Sequence, residues 1–278
     1  MGILKASSDV GAIASLVTSV LSIVSCMLVI WFIVDYRKKK KSYHLELVGR
    51  LLLCDVGICL TIVLFYIMDI VLERTQMPDF CNLFLPLVSY FFLTSYAWTV
   101  MLALRFRMSH DRNASGELKP LLPFHVIWLV PLGLVLVLII AAYSAGHVTK
   151  VVEGDDDDSK QACTFDHDHM AGIVLDLTIV QVPNLLTILL NVYIYACGLA
   201  ALNNAPHSVL ARQMRKAGGY LAILIIVWVP NLVYNMLSII DTSHKSYDSL
   251  LDLAVLLVSL QVQLMSCSVR LLLILMVS

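Results

Sequence analysis

Charge is what this chain has least of. Asp, Glu, Lys and Arg make up 14% of its 278 residues, whereas 59% are hydrophobic. A soluble domain of this length must cover itself with polar groups, so the composition excludes one. The usual motifs of enzymatic chemistry are missing as well. The chain has no Gly-rich phosphate loop, no Gly-x-Ser-x-Gly elbow and no His/Glu cluster at a common depth that could hold a catalytic metal. No internal repeat of the transporter kind is visible. Runs such as 121–143 also lack the apolar–polar alternation that a membrane β-barrel needs over about ten residues.

What is present is a series of seven apolar stretches, at 10–34, 47–72, 81–106, 121–143, 171–199, 217–240 and 249–275. A bilayer core of roughly 30 Å takes about 20 helical residues to cross. Backbone facing lipid must satisfy its own hydrogen bonds, so each stretch is predicted to be a helix. The predicted fold is all-α: a polytopic membrane protein whose single domain, 1–278, is a seven-transmembrane helix bundle. The first stretch, with no basic leader beyond Lys5, is expected to be an uncleaved anchor. Loops of 12, 14 and 17 residues on one side leave no room for a soluble catalytic domain, so no enzyme is expected.

Orientation follows from the basic residues. Arg37, Lys38, Lys39, Lys40, Lys41, Arg105, Arg107, Arg112, Lys119, Arg212, Arg215 and Lys216 fall on one side, 12 in all. Only Lys5, Arg74, Lys150, Lys160 and Lys245 fall on the other, 5 in all, while Arg50 and Arg270 lie near inner helix ends. The richer side belongs in the cytoplasm, with the N-terminus outside and the C-terminus inside. The sequon Asn113-Ala114-Ser115 then lies in a cytoplasmic loop and is expected to stay unglycosylated.

Of seven cysteines, Cys26, Cys54, Cys59, Cys197 and Cys267 fall within apolar stretches, where cysteine serves as a small hydrophobe. Cys81 and Cys163 alone face the oxidising side and are expected to pair, pinning the 144–170 loop across the bundle mouth. That loop carries Glu153 and the run Asp155–Asp158, then Asp166, His167, Asp168 and His169. The four-Asp run reads as a solvated, self-repelling segment. His167 and His169, with the neighbouring carboxylates, read either the same way or as a zinc, calcium or pH-sensing site.

Acids at membrane depth are costly and normally face the bundle interior. Asp55 lies in the cytoplasmic part of the second stretch. Asp69, Asp176 and Asp252 lie near the outer ends of the second, fifth and seventh, with no basic residue at their level. A cavity there favours a cationic ligand. For Asp55, the polar residues Gln261, Gln263, Ser266 and Ser268 of the seventh stretch are the expected partners, with Ser266 at about the right depth. Internal prolines at Pro131, Pro183 and Pro230 free backbone carbonyls and bend their helices. Trp228, beside Pro230, is placed to act as a lever.

Together these features resemble a G-protein-coupled receptor. The resemblance rests on Leu51–Asp55, the Cys81/Cys163 pair, Trp128, Pro183 and Trp228-Val229-Pro230. More narrowly, Ser95–Leu104 and Phe124–Leu132 resemble the slime-mould cyclic-AMP-receptor-like family and its orphan animal relatives. The resemblance implies a plasma-membrane receptor with a heterotrimeric G protein as cytoplasmic partner, with endomembrane and ciliary membranes as further locations. It implies no cofactor and no nucleic acid. Asp55, Trp98, Pro183, Trp228 and Pro230 become switch residues, and Arg105 and Arg107 belong to the G-protein face. The chain departs from the rhodopsin-like group in two places. Leu104-Arg105-Phe106-Arg107 replaces the acidic-Arg-Tyr signature, and the last stretch lacks Asn-Pro-x-x-Tyr. After Ser278 no eighth amphipathic helix and no phosphorylatable tail are expected. The acidic outer half does not suit a cyclic nucleotide. A non-signalling orphan seven-helix scaffold or assembly partner, or less readily a transporter, is the alternative reading.

Overall fold

The computed structural model describes residues 9–39, 43–71, 77–108, 124–145, 149–152, 162–165 and 169–200, with the positions 222, 225, 226, 228–230, 232, 233, 236, 237 and 257. Within these residues α1 (Asp9–Lys39), α2 (Tyr43–Val71), α3 (Met77–Met108) and α4 (Phe124–Ala145) come first. A hairpin of β1 (Thr149–Val152) and β2 (Ala162–Phe165) follows. Next are α5 (Met170–Asp176), a π-turn at Leu177–Gln181, and α6 (Val182–Ala200). The described positions of the sixth stretch are also helical. Four spans among the described residues are long and apolar enough to cross a membrane: Ser15–Tyr36, Leu45–Met68, Phe80–Arg105 and Met170–Ala200. The last joins α5, the π-turn and α6 into one rod. Most of the sixth stretch and nearly all of the seventh lie outside the described residues.

Helix α1 shows why such a sequence folds in lipid. Its buried edge is Ser15, Ser19, Ser22, Cys26, Val29 and Ile33, spaced three or four residues apart. Its exposed side is Val17, Val20, Leu21, Val24, Met27, Leu28, Trp31 and Phe32. Small and hydroxylic groups face inward and large apolar groups outward, the reverse of a water-soluble helix. Hydrocarbon solvates the large side chains, and the small edge lets α1 lie close against α2. Three threonine hydroxyls are satisfied within their own helices. The Thr61 hydroxyl donates to the Ile58 carbonyl at 2.7 Å, Thr94 to Tyr90 at 2.8 Å and Thr99 to Ser95 at 2.8 Å.

The post of the bundle is α3, which touches α2, α4, α6, the π-turn and both strands. One core cluster gathers at its disulfide end, around Phe65, Phe84, Phe92, Tyr96, Leu175, Val180 and Trp228. A second, around Val29, Leu47, Leu52, Trp98, Met101 and Ile127, joins α1 to α4. A third sets Ala103 of α3 against Ile194 and Tyr195 of α6. Gly57 of α2 permits one close approach, since a Cβ there would overlap the Phe91 ring.

The hairpin is antiparallel, with Val151 opposite Cys163 and Thr149 opposite Phe165. Two four-residue strands are marginal alone. A disulfide between Cys163 and Cys81 near the start of α3, with Cα atoms 5.4 Å apart, anchors them to the bundle. The acidic run 153–158 and Asp166, His167 and Asp168 lie outside the described residues.

The fifth span holds a feature that hydropathy did not reveal. In the π-turn the Val182 N–H donates to the Leu177 carbonyl, five residues back rather than four. The next residue, Pro183, has no N–H to give, and its ring would crowd the carbonyl four residues earlier in a regular helix. Widening the turn relieves that crowding and adds one residue to it. The inward face therefore jumps from Asp176 to Gln181, Asn184, Thr187 and Asn191, all buried. In an uninterrupted helix Gln181 would lie about 140° from Asp176, whereas Thr187 would lie about 20° from it, so it is Gln181 above all that the wide turn carries inward. The sequence reading also passed over a fourth internal proline, Pro86 of α3.

Candidate functional site

The chemistry-bearing side chains of the described core converge on one short segment of α3. The Ser95 hydroxyl donates to Asp55 Oδ1 of α2 at 3.4 Å. Asp55 is 1% exposed, and its Oδ2 meets no hydrogen-bond partner among the described residues. The expected partners in the seventh stretch, Gln261, Gln263, Ser266 and Ser268, lie outside those residues, and the contact described comes from α3. Nothing in the apolar pattern distinguishes Ser95 from the other small polar residues of α3. Its pairing depends on how α2 and α3 rotate against each other.

The neighbour of Ser95, Tyr96, turns to the sixth stretch. Its ring meets Trp228 edge-on, with centroids 5.0 Å apart, and Phe92 meets the same indole at 5.5 Å. Edge-to-face geometry suits the aromatic quadrupole. Trp228 is buried, while Val229 and Pro230 beside it are partly exposed. Adjacent residues of α3 thus grip an acid on one helix and an indole beside a proline on another.

Trp98, two residues on, is fully buried. Its ring lies 6.1 Å from that of Trp128 in α4, and the Arg50 guanidinium carbon stands 5.8 Å from its centroid. The Arg50 Nη2 donates to Glu46 Oε1 at 2.9 Å, one turn earlier on α2. The sequence reading counted Arg50 only as a charge at a helix end. Its tie to an indole was not visible, because position 98 could be placed opposite position 50 only once the helices were docked.

Other candidates are more dispersed. Arg105 is partly buried and Arg107 exposed, both in the last turn of α3, where cations complement the helix dipole. Pro183 is half-buried directly after the π-turn. Asp176 is wholly buried at the head of that turn. Asp69 belongs to α2, but its side chain is outside the described residues, as are Asp252 and His167. Of the three outer acids, Asp176 alone has its side chain among the described residues. His169 is exposed and caps α5 through its backbone carbonyl, which accepts from the N–H groups of Gly172 (3.1 Å) and Ile173 (3.3 Å). No group of three His, Cys, Asp or Glu side chains gathers in a metal-binding arrangement among the described residues.

Sequence reasoning missed Gln181 and Asn184. Both are buried, and neither carboxamide has a hydrogen-bond partner among the described residues. The available signal was polar residues in an otherwise apolar stretch, out of phase with Asp176 on a 3.6-residue period.

A central helix tied by a disulfide to an outer hairpin, with an acid, an indole and a proline-bent helix gathered on it, is a receptor-like arrangement. The family model described as 7 transmembrane receptor (Secretin family) matches residues 4–261. The chain belongs to this family. The match begins before α1 and runs into the seventh apolar stretch, so one family covers the first six stretches and part of the seventh. The chain is thus a multi-pass membrane protein of the G-protein-coupled receptor class, and the family is one of receptors rather than enzymes. The signatures absent from α3 and the last stretch are those of the rhodopsin-like group, which is not the family matched. No curated protein matches the receptor.

Proposed function

We propose that this receptor carries an extracellular signal across the plasma membrane to a heterotrimeric G protein. Its N-terminus faces outward, and Arg105 and Arg107 face the G protein. The observation that carries this reading is the adjacency of Ser95 and Tyr96. One holds Asp55 of α2 and the other packs against Trp228 of the sixth stretch. A rotation of α3 at these two residues changes the seating of both neighbours at once, which is what a two-state bundle requires. Pro183 and Pro230 supply the bends about which the fifth and sixth spans repack, and Trp98 holds the segment below.

At the disulfide end, Asp69, Asp176 and Asp252 favour a cationic ligand entering beneath the hairpin. The likeness of Ser95–Leu104 and Phe124–Leu132 to the cyclic-AMP-receptor-like family bears on ancestry and not on the ligand, because this acidic end repels a cyclic nucleotide. The decisive experiment is nucleotide exchange on purified heterotrimeric G proteins by the receptor in lipid nanodiscs. Exchange above that of empty discs, lost in Trp228→Ala, supports coupling. No exchange with any of the major Gα classes returns the chain to a non-signalling seven-helix scaffold.

A further inference from the structure

We propose that a pocket between α3, α4 and the fifth span binds the carbonyl end of an aliphatic ketone dissolved in the bilayer. Pro86 and Ser89 of α3, Ile139 of α4, Phe165 of β2, and Leu175 and Ile179 of the fifth span line it, around about 260 Å³ of empty space. It lies on the α4 side of the fifth span, and its lining includes neither Trp228 nor the inward carboxamides. Phe165, buried, closes it beneath the hairpin. Pro86 and Ile139 are partly exposed, and Leu87 and Ile140 beside them face outward, so the open side looks through the seam of α3 and α4 into hydrocarbon. One lining group is out of keeping. Ser89 is 2% exposed, and its hydroxyl has no hydrogen-bond partner among the described residues. Thr94 and Thr99 of the same helix each donate to the carbonyl four residues back, a bond that Ser89 does not make with Leu85. Buried hydroxyls are seldom left so, because the unmet group has given up its water for nothing.

A lone hydroxyl in an apolar wall selects its occupant. Ser89 has one proton to give. A buried water needs several polar partners, and the lining side chains offer only this one. An alkane would leave the proton unmet. An alcohol or amine would accept it but bring a proton of its own, with no side-chain acceptor beyond Ser89 in the lining. A ketone oxygen accepts and brings no donor, while its alkyl arms meet Ile139, Leu175 and Ile179. The ester carbonyl of a phospholipid shares this chemistry, and depth separates the two. Ser89 lies nine residues in from Phe80 of the span Phe80–Arg105, about 14 Å along the helix at about 1.5 Å per residue. That is deep within a hydrocarbon core of roughly 30 Å, whereas ester carbonyls stay at the headgroups. Ile179 belongs to the wide turn Leu177–Gln181, so an occupant bears at once on α3, α4, the hairpin and that turn.

The probe is methyl hexyl ketone, isotope-labelled at its carbonyl carbon, added to the full-length chain in lipid nanodiscs and read by infrared difference spectroscopy. A hydrogen bond from Ser89 weakens the carbonyl and lowers its stretching frequency. A lower-frequency carbonyl band is therefore expected to grow over the spectrum of empty discs and to saturate. Unlabelled ketone should displace it, while the matching secondary alcohol and octane at the same concentration should not. Ser89→Ala should abolish the band, and without ketone it should melt no lower than the parent, since it sheds an unmet hydroxyl. If that variant does not reach the membrane, Ile139→Phe fills the open side, keeps the hydroxyl and should abolish the band likewise. The absence of a saturable lower band in the parent, or an equal band in the variant, would overturn the site. Displacement by the alcohol or by octane as strong as by the ketone would overturn the choice of ligand. Binding is read here without any G protein. A failed exchange assay leaves this site standing, and a missing band leaves the receptor reading standing.

Discussion

The guanidinium carbon of Arg50 stands 5.8 Å from the ring centroid of Trp98, which holds a charge of α2 over an indole of α3. Glu46 completes the arrangement from one turn earlier on α2. With 34% of the Arg50 side chain exposed, a contact of this kind is worth about 1 kcal/mol. Trp98→Leu removes the ring from both Arg50 and Trp128 and is expected to cost roughly 3 kcal/mol, within the range of large-to-small core replacements. Trp98→Phe keeps a ring face and should cost less. Thermal unfolding in nanodiscs reads the difference, and equal losses in the two variants would discount the charge–ring contact.

Asp55→Asn tests the acid at the centre of the proposed switch. An amide keeps the bond from Ser95 but cannot carry charge, so the variant should reach the surface in near-normal amount. The signalling balance, or the ligand affinity, is expected to depend on sodium concentration in the parent and not in the variant. Dose–response curves at low and high sodium are the measurement. A drop in expression with the salt response intact would assign Asp55 a purely structural role.

Breaking the disulfide should cost far more than any surface change. It closes a separation of 82 residues, for which the chain-entropy relation gives about 4.5 kcal/mol. Cys81→Ser and Cys163→Ser are each expected to cause intracellular retention, and the double variant should be no worse than either single. Surface labelling against total protein makes the comparison. Normal trafficking of a single variant would show that the hairpin is held by other means.

At Gly57, substitution by Ala forces its new methyl group into the Phe91 ring. Overpacking of this kind costs about 1–3 kcal/mol. Restoring space with Gly57→Ala/Phe91→Leu should recover most of the loss, a coupling readable from the four melting temperatures of a double-mutant cycle.

The proposed orientation has its own check. Asn113 should remain unmodified because its loop is read as cytoplasmic. A mobility shift on glycosidase treatment that disappears in Asn113→Gln would invert the topology.

The residues explain which of these features could be read in advance. Seven long apolar stretches are legible because lipid permits few alternatives to helix at that length. The Cys81–Cys163 bridge is legible because the other cysteines fall within those stretches. Pro183 is legible as a bend, yet the π-turn before it is not, since hydropathy has no term for an extra residue in a turn. Ser95, Arg50, Gln181 and Asn184 were hidden for a related reason. Each takes its meaning from the rotation of one helix against another, and that rotation is set by packing rather than by local pattern.

The extra residue at Leu177–Gln181 amounts to spare length stored within a rod. If the turn tightens to regular α-helix, the surplus must pass along the span. Everything beyond it then advances by about 1.5 Å and rotates by about 100°. Such a stroke would swing Asn184, Thr187 and Asn191 away from α3 together and carry Tyr195 out of its place beside Ala103. The fifth span can thus act as a screw whose thread is cut at Pro183, converting a local change of pitch at one end into displacement at the other.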